Sequence, residues 1–306
     1  MDRQPGSDRT EMPPVESSFQ LPVHGFVPAA GEGRRLRPYS LEIPKPLMPL
    51  LGIPLLEVVL DRMGGLSPRS VVVNACHLAD RIEEHVRYSP AARKCSSVVI
   101  SRESRLLDTG GGIRRGLEVA GIGEATVVVH NADVYTNFPL ATLVSRHRES
   151  RSLATLLLKP GEGPLTVDAG RDWVIRALRE PRGRGRFTFT GVYVLDTRLL
   201  TYLPARNVCS IVEALEAAIG AGERILGVSA GDRYWSDLGT PAELLRAHEK
   251  LLRVPAALPA ILRSGARRGE ERRCRLRNAG CSVSATQYVG PGALQPPGSV
   301  VPDGGV

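Results

Sequence analysis

Pro28 to Pro46 reads PAAGEGRRLRPYSLEIPKP and directly follows the apolar run from Val23 to Val27. An apolar strand feeding a Gly-rich turn aims backbone N–H groups at an anion. Gly31 and Gly33 carry no Cβ, so the chain there can turn sharply and bring main-chain donors against phosphate oxygens. Arg34, Arg35 and Arg37 place fixed positive charge on the same loop, and a guanidinium can grip phosphate with two parallel hydrogen bonds. Lys45 adds a compact charge between Pro44 and Pro46, whose fixed φ stiffens the segment. Together these residues describe a cradle for a triphosphate. Two familiar phosphate motifs are excluded. The dinucleotide fingerprint G-x-G-x-x-G fails because position 36 is Leu, and no G-x-x-x-x-G-K-[ST] run occurs in this loop.

Outward from this loop, strand-like apolar runs alternate with helical patterns. Val71–Val73 precedes a helical segment from Leu78 to Val86. Val98–Ile100 precedes a Gly-rich turn at Gly110, Gly111 and Gly112, then a helical segment from Ile113 to Val119. Thr126–Val129 precedes Asn131-Ala132-Asp133, a helix near Pro139–His147, and a further strand at Leu153–Leu158. This rhythm predicts an α/β fold of Rossmann-like type, a mixed, mostly parallel sheet with helices on both faces, whose ligands bind at the carboxyl ends of the strands. Gly31, Gly110 and Asp133 each fall just after a strand, so all three can face one crevice. Farther on, 159–172 and 179–186 read as loops, Trp173–Leu178 and Phe187–Leu195 as strands, and Ile225–Val228 as a short strand. Helices are expected at Ile211–Ile219, capped by Ser210, and at Glu243–Leu252, started by Thr240 and Pro241 with Glu243 completing a capping box.

The motifs taken in order resemble one known family. Gly31-Glu32-Gly33-Arg34-Arg35-Leu36 with Pro44-Lys45-Pro46-Leu47 is similar to the signature of the sugar-phosphate nucleotidylyltransferases, also called nucleotide-sugar pyrophosphorylases. The resemblance continues through Asp108–Ile113 (DTGGGI), Asn131–Asp133, Phe189–Tyr193 (FTGVY) and Trp235–Pro241 (WSDLGTP), and covers about residues 23 to 252. In motif wording it is closest to enzymes resembling N-acetylmuramic acid 1-phosphate uridylyltransferase. It implies transfer of a nucleoside monophosphate from a nucleoside triphosphate to a sugar 1-phosphate, giving a UDP- or GDP-sugar and pyrophosphate. It places metal-binding aspartates at Asp133 and Asp237, where Mg²⁺ would be held by one or two carboxylates with water and phosphate filling the rest. Arg35 would stabilise the α- and β-phosphates and the leaving pyrophosphate, and Lys45 would contact the α-phosphate or the sugar phosphate. Gly110–Gly112 would let the base lie against bare backbone, with Ala29, Ala30 and Asn74 as further base or ribose contacts. Gly191 and Tyr193 resemble the sugar-side strand. Relatives have Gly where this chain has Ala132. They also carry a lysine on the sugar phosphate that is absent from Arg179-Glu180-Pro181-Arg182, so Arg182 or Arg179 is the expected replacement. The alternative is a non-catalytic subunit of the same fold that binds sugar nucleotides; retention of Arg35, Lys45, Asp133 and Asp237 together argues against it.

Composition bounds the rest. A chain of 306 residues at 42% hydrophobic content can bury one sizeable core. No apolar run approaches the roughly 18 residues that a membrane helix needs. Residues 1–22 are polar and Pro-rich and read as a disordered leader, 23–252 as the nucleotidylyltransferase domain. Residues 253–306 read as an Arg/Gly/Pro-rich tail, disordered or the remnant of a β-helix extension, with Tyr288–Ala293 resembling one turn of a hexapeptide repeat. The net charge of +8 is concentrated: residues 262–277 hold seven Arg and two Glu, leaving 33 basic and 30 acidic residues elsewhere. Without interleaved aromatics that segment predicts no nucleic-acid role. Five dispersed cysteines with no C-x-x-C pair point to free thiols in a reducing cytoplasm. The expected partners are the two substrates, with no membrane, in a monomer or small homo-oligomer.

Overall fold

The valine-rich runs pair into one central sheet, seen in a computed structural model that describes residues 21–181, 183–254 and 258–278. In chain order the elements are β1 (Val23–Val27), β2 (Pro49–Leu50), β3 (Ile53–Pro54), α1 (Leu55–Gly64), β4 (Val71–Ala75), α2 (Ala79–Tyr88), β5 (Val98–Arg102), α3 (Asp108–Val119), β6 (Thr126–His130) and β7 (Val134–Thr136). They continue as α4 (Leu140–Ser150), β8 (Ala154–Pro160), β9 (Asp168–Ala169), β10 (Ile175–Ala177), β11 (Phe187–Asp196), α5 (Ile211–Gly220), β12 (Ile225–Ser229), β13 (Trp235–Asp237), α6 (Pro241–Leu252) and α7 (Ala260–Asn278). The seven-stranded sheet has the order β12-β8-β11-β6-β1-β4-β5. All its pairings are parallel except those of β11, which runs antiparallel to both β6 and β8. The expected mixed, mostly parallel α/β sheet is therefore the fold.

Every residue of β4 and β6 is buried, because helices cover both faces of the sheet. Successive side chains go to opposite faces. Val127 and Val129 join Phe26, Ile113 and Leu117 under α3 and α5, while Val128 joins Val27, Val71 and Val73 under α1, α2 and α4. Ser210 caps α5 in a capping box with Glu213, and the Thr240 hydroxyl accepts from the Glu243 N–H at the start of α6. Both follow the sequence pattern.

A third apolar cluster was not anticipated. It joins Leu36 and Met48 of the signature loop to Leu50, Leu51 and Ile53 of the β2–β3 hairpin, Leu238, Leu244 and Leu251 around α6, and Leu258 and Leu262. This corrects the reading of the tail after residue 253: Ala260–Asn278 is a helix. Its Arg-rich surface conceals a buried stripe at Leu262, Gly265 and Gly269, continuing from Leu258. A Cβ on Gly265 would lie 2.1 Å from the Leu51 carbonyl oxygen, so only glycine lets the helix sit directly on the hairpin. The 1–20 segment and the Tyr288–Ala293 motif lie outside the described residues.

Candidate active site

The signature loop leaves β1 and bends at Gly33, which holds a left-handed φ of 63°. Three short helical turns follow, at Arg34–Leu36, Tyr39–Leu41 and Lys45–Leu47. Leu36 and Met48 anchor them in the core at 1% and 4% exposure, which turns the intervening charges outward. The Ser40 hydroxyl donates to the Gly33 carbonyl at 2.8 Å, and the Ser40 carbonyl lies 2.7 Å from His77 Nε2. His77 stands just past β4, so the loop is fastened to the neighbouring strand.

The two candidate metal carboxylates meet. β7 and β13 pair antiparallel with Asp237 opposite Val134, and the Leu238 N–H donates to the Asp133 carbonyl at 2.8 Å. That small ladder closes a gap of more than a hundred residues. Lys45 Nζ donates to Asp133 Oδ2, and Arg35 Nη2 lies 3.4 Å from Asp237 Oδ2. Burial, then the charge of Asp133, push the Asp237 carboxyl above its ordinary range, against the pull of Lys45 and Arg35. Asp237 Oδ1 is buried and has no hydrogen-bond partner among the described residues. No cluster of three or more ligating side chains exists among them. Two carboxylates, one with an orphaned oxygen beside the Gly31–Lys45 loop, fit an ion that takes few protein ligands and leaves positions for water and phosphate.

The pair stands between two cavities. One, of about 480 Å³, is lined by Ala29, Gly31, Gly33, Lys45 and Asp133 together with Asn74 and Glu103. The other, of about 680 Å³, is lined by Arg35 and Asp237 and by one face of α6.

The model of the family described as "Nucleotidyl transferase" matches residues 25–254. The chain belongs to the nucleotidyl transferase family. It is 30% identical over 287 residues to mannose-1-phosphate guanylyltransferase of Mycobacterium tuberculosis, covering 91% of this chain and 75% of that protein. It is 27% identical to UTP–glucose-1-phosphate uridylyltransferase of Synechocystis, covering 60% of this chain and 51% of the relative. Over a shorter stretch of 115 residues it is 39% identical to N-acetylmuramate alpha-1-phosphate uridylyltransferase of Caulobacter vibrioides, covering 37% of this chain and 47% of that one. The fold matches UDP-glucose pyrophosphorylase from Acinetobacter baumannii with a TM-score of 0.66 at 16% identity, covering 84% of this chain and all of that one. It also matches HddC from Yersinia pseudotuberculosis complexed with GMP-PN, with a TM-score of 0.62 at 20% identity over 74% of this chain and 99% of that one.

Within this nucleotidyl transferase the structure revises several residue assignments. Gly110, Gly111 and Gly112 are buried in the first turn of α3 and do not line the cavity of about 480 Å³. A Cβ on Gly111 would stand 2.0 Å from the Asn207 carbonyl oxygen, and the N–H groups of Gly110 and Gly111 both donate to the Cys209 carbonyl. The glycines therefore seat the 204–210 loop, and that loop brings Val208 to the cavity. Tyr193 is only 2% exposed and its ring packs on Phe189, so it belongs to the core rather than to an acceptor site. Its hydroxyl has no partner among the described residues, and burial, then the charge of Asp108, raise its phenol pKa. Gly191, at φ 78°, receives the Asn131 N–H on its carbonyl at 3.0 Å and so positions a cavity residue rather than lining the cavity itself. Arg179 pairs with Glu216, and Arg182 lies outside the described residues. Ala30 and Ala132 line the cavity that holds Lys45 and Asp133. His130 is fully buried, and burial and Arg62 push it down to about 3, so it stays neutral.

Glu103 was missed. It is 8% exposed, accepts from Asn74 Nδ2 at 2.6 Å and from the Leu107 N–H at 3.1 Å, and burial raises its pKa. Asn74 in turn accepts from the Ala29 N–H at 2.7 Å. A carboxylate seven residues before a Gly run, on no periodic face, gave no signal. Leu106, Thr109 and Asn131 complete the same wall.

Proposed function

We propose that the protein transfers a nucleoside monophosphate from a nucleoside triphosphate to a sugar 1-phosphate, forming a UDP- or GDP-sugar and releasing pyrophosphate. The observation that carries this reading is the juxtaposition of Asp133 and Asp237 by the β7–β13 ladder, with Lys45 on one carboxylate and Arg35 on the other. In the reaction an oxygen of the sugar phosphate attacks the α-phosphorus, a new P–O bond forms, and the bond to the β-phosphate breaks. The attacking phosphate is ionised at neutral pH, so the site needs alignment and charge neutralisation more than a strong base. Lys45 and Arg35 supply the fixed positive charge, and the backbone around Gly31 and Gly33 holds the phosphate tail. Mg²⁺, held by Asp133 and Asp237, would supply Lewis-acid stabilisation of phosphoryl oxygens. Glu103 offers a carboxylate to a ring N–H, a group that uracil and guanine both carry. Arg182 is retained as a candidate contact to the sugar phosphate. A non-catalytic role is not favoured, because a binding-only site has less need of all four charged residues.

The test is a pyrophosphate-release screen with Mg²⁺, crossing four triphosphates with a panel of sugar 1-phosphates. Turnover is expected with UTP or GTP and abolished in D133A/D237A, with nucleotide binding retained. Absence of release from every pair would overturn the reading.

A further inference from the structure

The cavity beside Asp237 is lined by Arg35, Arg246 and Lys250 and by Glu162, Asp237 and Glu243. Its wall on α6 is formed by Glu243, Arg246, Ala247 and Lys250, spaced as one helix face. Each carboxylate around the cavity has one hydrogen-bond or ion-pair partner. Asp237 faces Arg35, Glu162 pairs with Lys159 at 3.2 Å, and the Glu243 carboxylate accepts from the Thr240 hydroxyl at 2.9 Å. Arg246 and Lys250 have no ion-pair or hydrogen-bond partner among the described residues. Two half-buried aromatic residues also line the cavity, with rings that pack into different apolar clusters. Trp235 is fixed by its indole N–H donating to the Thr190 carbonyl at 3.0 Å, and Tyr234 packs on Tyr135 with centroids 5.6 Å apart.

The helix geometry places the two cations at the remote end of that pocket. α6 begins at Pro241, shortly after Asp237. At 1.5 Å per residue Arg246 and Lys250 lie about 8 and 14 Å along the axis from its start. The 1-phosphate belongs at the Asp133–Asp237 end, where the transfer occurs. The sugar ring then extends along the α6 wall, and its far side meets Arg246 and Lys250.

Resting on the transferase reading above, we propose that the acceptor is a sugar 1-phosphate carrying a second anionic group, a carboxylate or a phosphate, remote from C1, and that Arg246 and Lys250 bind it. The experiment compares glucose 1-phosphate, glucuronic acid 1-phosphate and glucose 1,6-bisphosphate as acceptors for the full-length enzyme, by pyrophosphate release. The same three compounds are titrated calorimetrically in the presence of Mg²⁺ and a non-hydrolysable triphosphate. The wild type is expected to favour one or both doubly anionic acceptors by about 10- to 100-fold, chiefly through KM. Which compound is favoured tells carboxylate from phosphate. R246A/K250A should bring the ratio of charged to uncharged acceptor close to one, while R246K/K250R should keep most of it; a misfolded variant would lose all three acceptors together. Equal use of the three acceptors by the wild type, or a preference that survives in R246A/K250A, overturns the inference while leaving the transferase reading intact. If nothing is turned over, that reading falls instead, and the calorimetry decides: absent or equal binding of the three compounds overturns the inference as well.

Discussion

Replacing Asn74 with Asp changes almost no volume but should make stability depend steeply on pH. Asn74 is 4% exposed, and its carbonyl oxygen receives the Ala29 N–H, a contact aspartate can keep. Its amide donates to Glu103 at 2.6 Å, and there aspartate presents a second carboxylate oxygen. Two buried carboxylates in contact cannot both ionise, so the folded variant retains one proton on the pair. Burial already raises Glu103 in the wild type, and the pair would be raised further. From the ordinary carboxylate range up to this raised pKa, the folded variant binds one proton more than the unfolded chain. Its stability therefore falls by about 1.4 kcal/mol for each pH unit through that window. Below the window both states are protonated and the penalty is absent. Two to three units accumulate about 3–4 kcal/mol, of the size found when a buried charge loses its partner, about 3–5 kcal/mol. At about 2–4 °C per kcal/mol for a domain of this length, the melting temperature at pH 8 should drop by about 6–16 °C relative to wild type, and far less at pH 5. Scanning calorimetry of both proteins from pH 5 to 8 reads this directly. A wild-type-to-variant offset that stays constant across that range would refute the buried Asn74–Glu103 contact.

Other consequences are more local. Mg²⁺ at millimolar concentration should raise the melting temperature of the wild type by mass action, and Asp237→Asn should remove most of that rise while the metal-free protein stays folded. A full Mg²⁺ shift in the variant would place the ion elsewhere. His77→Ala deletes the tether to the Ser40 carbonyl. The loss of one hydrogen bond predicts a fall in kcat/KM of about 5- to 10-fold, partly restored in His77→Gln, with a melting temperature within about 3 °C of wild type. Unchanged kinetics would show that the loop holds its shape without this contact. Gly111→Ala forces a methyl group against the Asn207 carbonyl and should destabilise by about 1–3 kcal/mol, with a raised KM for the triphosphate as the Val208 loop shifts. A neutral result would mean that the 204–210 loop does not rest on α3.

Much of the site was legible because its chemistry is local. Gly33, Arg35 and Lys45 sit within one loop, and a left-handed turn, clustered guanidinium groups and a proline-braced lysine announce themselves in consecutive residues. Helix starts at Ser210 and Thr240 were legible for the same reason, since a cap and its third residue lie within one turn. The Gly110–Gly112 run misled because three glycines favour a turn by propensity. Contact with Asn207 and Cys209, far along the chain, overrides that propensity and keeps them helical. Tyr193 misled because a central strand buries both faces, so its alternation carried no information about exposure. The tail misled because seven arginines masked the spacing of Leu258, Leu262 and Gly265.

The sequence by itself determined the mixed, mostly parallel α/β architecture and pointed to a candidate phosphate loop and two candidate aspartates, since strand periodicity, turn chemistry and ordered motifs are written in near neighbours. Only the tertiary structure decided that the β7–β13 ladder brings Asp133 beside Asp237, that Glu103 lines the cavity with Lys45 and Asp133, and that Arg246 and Lys250 line the other cavity without a partner among the described residues. Those facts depend on which distant segments pack together, and burial and charge pairing exist only once the core has closed around them.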